Sequence, residues 1–234
     1  MVKARWPASA VSDLLAGLRG RSAAQPAAVP RGMDVTADKY SVDMVAADVA
    51  RWTPVSMTGS ERLLLYALAL RPDRYLEIGV QYGGSALIVA SAMNALQSPG
   101  RLVGIDPEPQ ITPEVWQILE PRMTLLKGRS PESLPAAAEA AGAPFDLVLI
   151  DGAHTYGSVL ADAEGVWPLL ADDAHLLFHD SHNDEVDRAI NAFLRRHPGR
   201  VADAGILSRE FTVEPGPGGR VQYWAGLRLL RARR

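Results

Sequence analysis

The sequence predicts a doubly wound α/β fold built on a mostly parallel, seven-stranded sheet. Three observations carry that expectation. From Tyr75 onward, short apolar runs alternate with helix-length segments, and strand–helix–strand order implies parallel pairing through right-handed crossovers. The runs are apolar throughout, as strands become when helices cover both sides of a sheet. The first of them, Tyr75-Leu76-Glu77-Ile78, breaks into the turn Gly79-Val80-Gln81-Tyr82-Gly83-Gly84 and leads at once into Ser85-Ala86-Leu87-Ile88-Val89-Ala90. An open sheet makes a ligand crevice in this way, at the carboxyl end of its first strand.

Taken in order, residues 8–19 place Val11, Leu14, Leu15 and Leu18 at helical spacing, and Gly20 is set to stop the helix. Residues 23–32, rich in Ala and Pro, read as a linker or extended lid segment, and a second short helix is expected over 42–51. Thr58 or Ser60 caps a helix over 61–70, which ends before Pro72. Strands are expected at 75–78, 102–105, 123–126, 147–150 and 175–178, with helices at 85–96, 113–119, 131–141 and 159–170. A helix over 185–196 follows, its first turn made acidic by Asp184, Glu185 and Asp187 to suit the helix dipole. The pattern then changes. Residues 201–207, 211–214 and 221–230 alternate and flank Pro215-Gly216-Pro217-Gly218-Gly219, which predicts an antiparallel hairpin closing one sheet edge. Arg228, Arg231, Arg233 and Arg234 read as a solvated tail.

Composition excludes several classes. A chain of 234 residues, 47% hydrophobic, suits one large domain with a small appendage. A net charge of −3 argues against a broad nucleic-acid surface. With no cysteine there is no disulfide, thiolate metal site or cysteine nucleophile. No apolar run approaches the roughly 20 residues a membrane span requires, so no membrane partner is expected. The basic start Met1-Val2-Lys3-Ala4-Arg5 is followed by a stretch that Asp13 and Arg19 interrupt, unlike a secretory signal. The expected location is the cytoplasm, and a homo-oligomer is compatible with everything above.

Ligands of open α/β sheets bind beyond the carboxyl ends of the strands. Those ends supply Glu77, Gly79 and Gly83; then Gly104-Ile105-Asp106, where a carboxylate suits ribose hydroxyls; then Gly128-Arg129-Ser130; then Asp151-Gly152-Ala153-His154; then His179-Asp180-Ser181-His182. A pyrophosphate site normally reads G-x-G-x-x-G. The spacing here is G-x-x-x-G-G with Glu77 two residues upstream, and a carboxylate is a poor neighbour for pyrophosphate. That favours S-adenosylmethionine over a dinucleotide. Of five histidines, His154, His179 and His182 fall at the last two strand ends beside Asp151 and Asp180. Carboxylate and imidazole donors there suit Mg²⁺, Mn²⁺ or Fe²⁺ with positions left open for a substrate.

From about Met57 to its C-terminus the chain resembles the class I S-adenosylmethionine-dependent methyltransferases. Within them it is similar to the metal-dependent small-molecule O-methyltransferases of the catechol and antibiotic-sugar type. The resemblance rests on Glu77-x-Gly79-x-x-x-Gly83-x-Ser85, Gly104-Ile105-Asp106, Ile150-Asp151-Gly152-Ala153-His154-Thr155-Tyr156 and Phe178-His179-Asp180. It implies a cofactor site drawn from Met57, Glu77, Gly79, Gly83, Ser85, Asp106, Ser130 and Asp151, a metal triad of Asp151, His179 and Asp180, and His154 as general base beside Asp151. The family more often has Asp, Glu or Asn where His179 stands. The implied reaction is methyl transfer to a hydroxyl of a small molecule, a natural product or sugar as in antibiotic biosynthesis. Residues 1–55 would be a helical lid over the acceptor and 56–234 the catalytic domain. Plainer readings stand beside these: Asp151 as a helix cap, His154 and His179 as structural histidines, His182 as a loop residue. Rival functions are a metal-independent methyltransferase, an NAD-dependent oxidoreductase and a non-catalytic cofactor-binding homologue.

Overall fold

A computed structural model describes residues 33–34 and 55–233. The expected helices over 8–19 and 42–51, the linker between them and most of the proposed lid lie outside the described residues. The described chain runs β1 (Met33–Asp34), α1 (Gly59–Leu68), β2 (Arg74–Ile78), α2 (Gly84–Ala95), β3 (Arg101–Asp106), α3 (Pro113–Leu119), β4 (Met123–Lys127), α4 (Leu134–Ala141), β5 (Phe145–Ile150), α5 (Tyr156–Val166), β6 (Leu170–Phe178), α6 (Asp184–Arg196), β7 (Val201–Ile206), β8 (Glu210–Pro215), β9 (Val221–Trp224) and β10 (Arg228–Ala232). Seven strands form one sheet in the order β4-β3-β2-β5-β6-β10-β7. Pairing from β4 to β6 is parallel, whereas β10 runs antiparallel to both β6 and β7.

Both faces are covered, as the doubly wound expectation requires. Leu76, Ile78, Val103, Ile105, Val148, Ile150, Leu176 and Phe178 pack against α4, α5 and α6. Tyr75, Leu102, Leu147, Leu149 and Leu177 face the opposite way, toward α1, α2 and α3. Side chains alternate along a strand, so this parity also decides where the polar residues beyond the apolar runs go. Glu77, Asp106, Asp151 and His179 all continue on the α1–α3 side. The doubly wound sheet therefore delivers four chemical side chains to one side of one crevice.

Local signals explain the helix ends. Thr58 and Glu61 form a reciprocal capping box at α1, with Glu61 Oε2 accepting the Thr58 N–H at 2.8 Å. Thr155 caps α5, which starts three residues earlier than predicted and ends at Val166, where Trp167–Leu169 tighten into a 3₁₀ turn around Pro168. Strand β6 consequently begins at Leu170, and α4 begins at Leu134 after a turn over 131–133. Asn183 caps α6, and Asp184, Glu185 and Asp187 form its acidic first turn.

Two expectations about the C-terminal region are corrected. Residues 221–230 are not one strand: Ala225 and Gly226 both have positive φ (63° and 87°) and separate β9 from β10. The hairpin around residues 215–219 exists, but β8 and β9 join β1 in a separate three-stranded sheet, while β10 enters the main sheet between β6 and β7. Alternation reveals that a segment is extended and is silent about which sheet receives it. Nor is Arg228 part of a solvated tail. Arg228 is 8% exposed and its guanidinium bonds Asp187 (2.7 Å), Asp203 (2.6 Å) and Asn191 (3.0 Å), while Arg231 pairs with Asp173. Burial of this charge is supported by two carboxylates, the condition under which a buried ion is tolerated.

Candidate active site

Beyond the strand ends lies a cavity of about 530 Å³. Its floor is the turn after β2. Gly79 has φ +90°, and a Cβ there would sit 2.1 Å from the carbonyl oxygen of Asp151. Glycine is required because β2 and β5 bring their continuing backbones together, which is a different reason from room for a ligand. Gly83 (φ +79°) is the left-handed N-cap of α2 and faces Leu119, Val115 and Ile111, so it shapes the turn from behind, while Gly84 and Ser85 line the cavity. Asp106 lies beneath the same turn: its Oδ2 accepts the N–H of Val80 (2.9 Å) and of Gln81 (2.8 Å), and its Oδ1 accepts that of Glu108. It also borders the cavity, as does Met57.

Glu77 is placed differently from the sequence expectation. It is fully buried behind the cavity wall, accepting hydrogen bonds from Ser85 Oγ and, at 3.1 Å, from the Tyr75 hydroxyl. Burial pushes its carboxyl up to about 8, against the opposing bond from Ser85. Ser85 is the residue of that pair presented to the cavity.

At the β5 and β6 ends the geometry tightens. His154 Nε2 lies 3.4 Å from Asp151 Oδ1 and 3.2 Å from Asp180 Oδ2. Asp151, His154 and Asp180 each offer a donor atom within 4.8 Å of the others, a set of oxygen and nitrogen donors that suits Mg²⁺ or Mn²⁺. His154, rather than the expected His179, completes this trio. His179 is 2% exposed, with Nδ1 3.0 Å from Asp151 and Nε2 3.4 Å from Glu61 of α1. Burial alone would lower the His179 pKa, but the charges of Asp151, Asp180 and Glu61 outweigh it and hold the imidazole well above its ordinary value. Asp151 is correspondingly held low: burial opposes this, and the His179 charge and the bonds from both histidines prevail. His154 is likewise raised, its burial offset by the bond to Asp151 and the charge of Asp180.

Asp180 reaches this cluster only because its backbone leaves the strand. Its φ is +52°, uncommon for a residue with a side chain. Oδ1 accepts the Ala225 N–H at 2.6 Å, while Glu61 Oε1 accepts the next one, Gly226, at 2.5 Å. The break between β9 and β10 is thus clamped by two carboxylates that also face His179. His182 does not line the cavity; it packs edge-on to Phe211 and against Gly226.

Sequence reasoning missed four residues. Glu61 supports His179, and its T-x-x-E capping pattern was readable. Trp224 and Glu214, from β9 and β8, close the cavity beside His154, with the Trp224 ring edge-on to His154 at 5.4 Å; nothing local marks them. Asp162, 3% exposed on α5, lies among Val159, Leu160, Ala163 and Val166. A carboxylate on the apolar stripe of a helix was the available signal.

Residues 76–181 match the family model described as a methyltransferase domain. That span carries a methyltransferase domain. The matched span runs from β2 through the Asp151–His154 and His179–Asp180 pairs and so includes most of the residues that line the crevice. Among solved structures, the chain is similar to the O-methyltransferase TomG from Streptomyces achromogenes, involved in tomaymycin synthesis and bound to S-adenosylmethionine (19% identity, TM-score 0.57, 100% of each chain). It is also similar to an O-methyltransferase from Bacillus cereus in complex with S-adenosylhomocysteine (20% identity, TM-score 0.56, covering 81% of this chain and 87% of that one). These likenesses bear on the fold. No curated protein matches the sequence. Among the described residues no helix is long and apolar enough to cross a membrane.

Proposed function

We propose that the chain is an S-adenosylmethionine-dependent methyltransferase acting on a hydroxyl of a small molecule, a natural product or sugar, with His154 as general base and a divalent cation assisting. The observation that carries this reading is the convergence of Asp151, His154 and Asp180 on one point of the cavity wall. The cavity fits the cofactor: Ser85, Met57 and Asp106 border it, and Ser130 Oγ there is buried with no hydrogen-bond partner. When bound, S-adenosylmethionine supplies an electrophilic sulfonium methyl. Asp106 would accept from ribose hydroxyls, and the turn 79–84 would admit the amino-acid end. Asp151 and Asp180 would hold the cation, which supplies Lewis acidity toward an acceptor oxygen.

His154 would take the hydroxyl proton at Nε2. That nitrogen faces both carboxylates, so it becomes free to accept only when the acceptor hydroxyl comes between it and them, with the cation held by Asp151 and Asp180 and not by His154. Trp224 limits water on this side and presents an apolar face to the acceptor. Likeness in fold to TomG, an O-methyltransferase involved in tomaymycin synthesis, supports a natural-product acceptor.

A specific observation favours a second reading, transfer without a metal. His179, held charged between Asp151, Asp180 and Glu61, already places a cation among the carboxylates. One experiment separates the two. After exhaustive chelation, activity should vanish and return with Mg²⁺ or Mn²⁺; full activity without metal selects the second reading. In either case His154→Gln should lower kcat by about 10²–10⁴-fold, with S-adenosylhomocysteine affinity changed less than about threefold by calorimetry. An enzyme within a fewfold of wild type would place the base elsewhere.

A further inference from the structure

The cavity wall beside His154 hangs on a break in the chain. Trp224 ends β9, and its ring stands edge-on to His154 with centroids 5.4 Å apart. A buried indole N–H usually finds a partner, yet Trp224 Nε1 is buried with none among the described residues. No polar contact at that atom anchors the ring, so its placement falls to the backbone. On one side Trp224 pairs with Thr212 of β8. On the other the chain turns through Ala225 and Gly226, both with positive φ. Four backbone groups of that turn are held. The carbonyls of Ala225 and Gly226 accept the N–H groups of His182 (3.0 Å) and Ser181 (2.9 Å), and the Ala225 N–H donates to Asp180 (2.6 Å). Those partners belong to one loop, residues 180–182, and travel with the turn. The remaining hold comes from outside: the Gly226 N–H donates to Glu61 Oε1 at 2.5 Å. Glu61 is fully buried in the first turn of α1, where its neighbour Arg62 donates to the carbonyls of Met57 (2.9 Å) and Val55 (3.1 Å), both lining the cavity.

We propose that Glu61 is a positioning residue for the acceptor: through Gly226 it holds Trp224 against His154, and so keeps the wall beside His154 in register with the wall formed by residues 55–57. This rests on the reading that the His154 side of the cavity takes the acceptor. Glu61 itself touches no reacting atom. A carboxylate accepting a backbone N–H makes one of the stronger hydrogen bonds, and its loss here leaves a buried donor unpaired. Without Glu61 the turn and the loop 180–182 remain joined to each other but lose their tie to α1. Trp224 then shifts with them, out of the geometry that an acceptor beside His154 requires. Misplacement by about 1 Å at such a site costs up to about a hundredfold in rate.

The test reads the ring directly, by fluorine NMR of the full chain labelled with 5-fluorotryptophan. Of the five tryptophans, Trp224 gives the resonance that Trp224→Phe lacks. Glu61→Ala should move that resonance. Thr58→Ala weakens the cap of the same helix but keeps the Gly226 bond, and should leave it in place. Glu61→Gln retains an oxygen for the Gly226 N–H and should restore the wild-type position. Glu61→Asp, one methylene shorter, should behave as Glu61→Ala and replaces it if the alanine variant does not fold. With catechol as the probe acceptor, kcat/KM should fall about tenfold or more in Glu61→Ala and recover in Glu61→Gln, while S-adenosylhomocysteine affinity stays near wild type by calorimetry. A Trp224 resonance unmoved in the alanine and aspartate variants overturns the proposal, as does an equal movement in Thr58→Ala. Catechol left unmethylated by wild type, with the resonances moving as expected, counts against the proposed reaction instead and supports the placement of Trp224 by Glu61.

Discussion

Asp106 supports the turn after β2 and borders the cavity at the same time. It holds the N–H groups of Val80 and Gln81 from below the turn and is itself 8% exposed at the cavity border. Asp106→Ala should abolish calorimetric binding of S-adenosylhomocysteine and lower the melting temperature, since each buried N–H left unpaired costs about 1–3 kcal/mol. Asp106→Asn keeps an acceptor oxygen and should recover part of both; full affinity in the alanine variant would remove Asp106 from the cofactor site. Glu77 makes a different prediction. Its carboxyl titrates near 4.5 when unfolded and at about 8 when folded. Between those values the folded chain holds a proton the unfolded chain has lost, so this group makes stability fall as pH rises from 4.5 to 8. At about 1.4 kcal/mol per unit the total is a few kcal/mol. Glu77→Gln, neutral throughout, should flatten the pH dependence of denaturant unfolding of the cofactor-free protein across that window. An unchanged slope would mean Glu77 is ionised in the folded protein. The sequence showed that Glu77 belongs near the turn; its depth behind Ser85 was set by α2, which no local pattern reports.

At the scale of elements, the contact between β2 and β5 rules the behaviour of Gly79. The 2.1 Å approach to the Asp151 carbonyl predicts that even Gly79→Ala separates the two strand ends and lowers solubility and melting temperature together. Helix α1 gives a graded case. Thr58→Ala removes one cap and should cost about 1 kcal/mol, a melting shift of roughly 2–4 °C for a chain of this size. Glu61→Ala also strips partners from Gly226 N–H and faces His179, and should cost several times as much. Equal shifts would show that the clamp on the β9–β10 break carries no energy. The parallel core, strand by strand, was legible because apolar runs and glycine turns are local. The separate β1-β8-β9 sheet and the interior place of β10 depend on pairings between distant segments, and so were not.

For the whole molecule, cofactor occupancy should stabilise the fold by mass action. At a hundredfold excess over Kd, S-adenosylhomocysteine should add about 2.7 kcal/mol, visible as a melting shift of roughly 5–10 °C; no shift at saturating concentrations by any probe would argue against the cavity as its site. The position of β10 has a further consequence, for the order of events during synthesis. It is the last strand described, yet it fills an interior slot between β6 and β7, and the residues just before it hold Asp180 and Glu61. A nascent chain still lacking residues 225–232 has an open sheet edge at β6 and two carboxylates without their backbone partners. The cluster of Asp151, His154 and Asp180 is therefore completed only after residues 225–232 have emerged, and until then β6 is an exposed template for pairing with other chains. Ribosome-bound intermediates arrested before residue 225 should bind no S-adenosylhomocysteine and should recruit chaperones, and release of residues 225–232 should end both conditions at once.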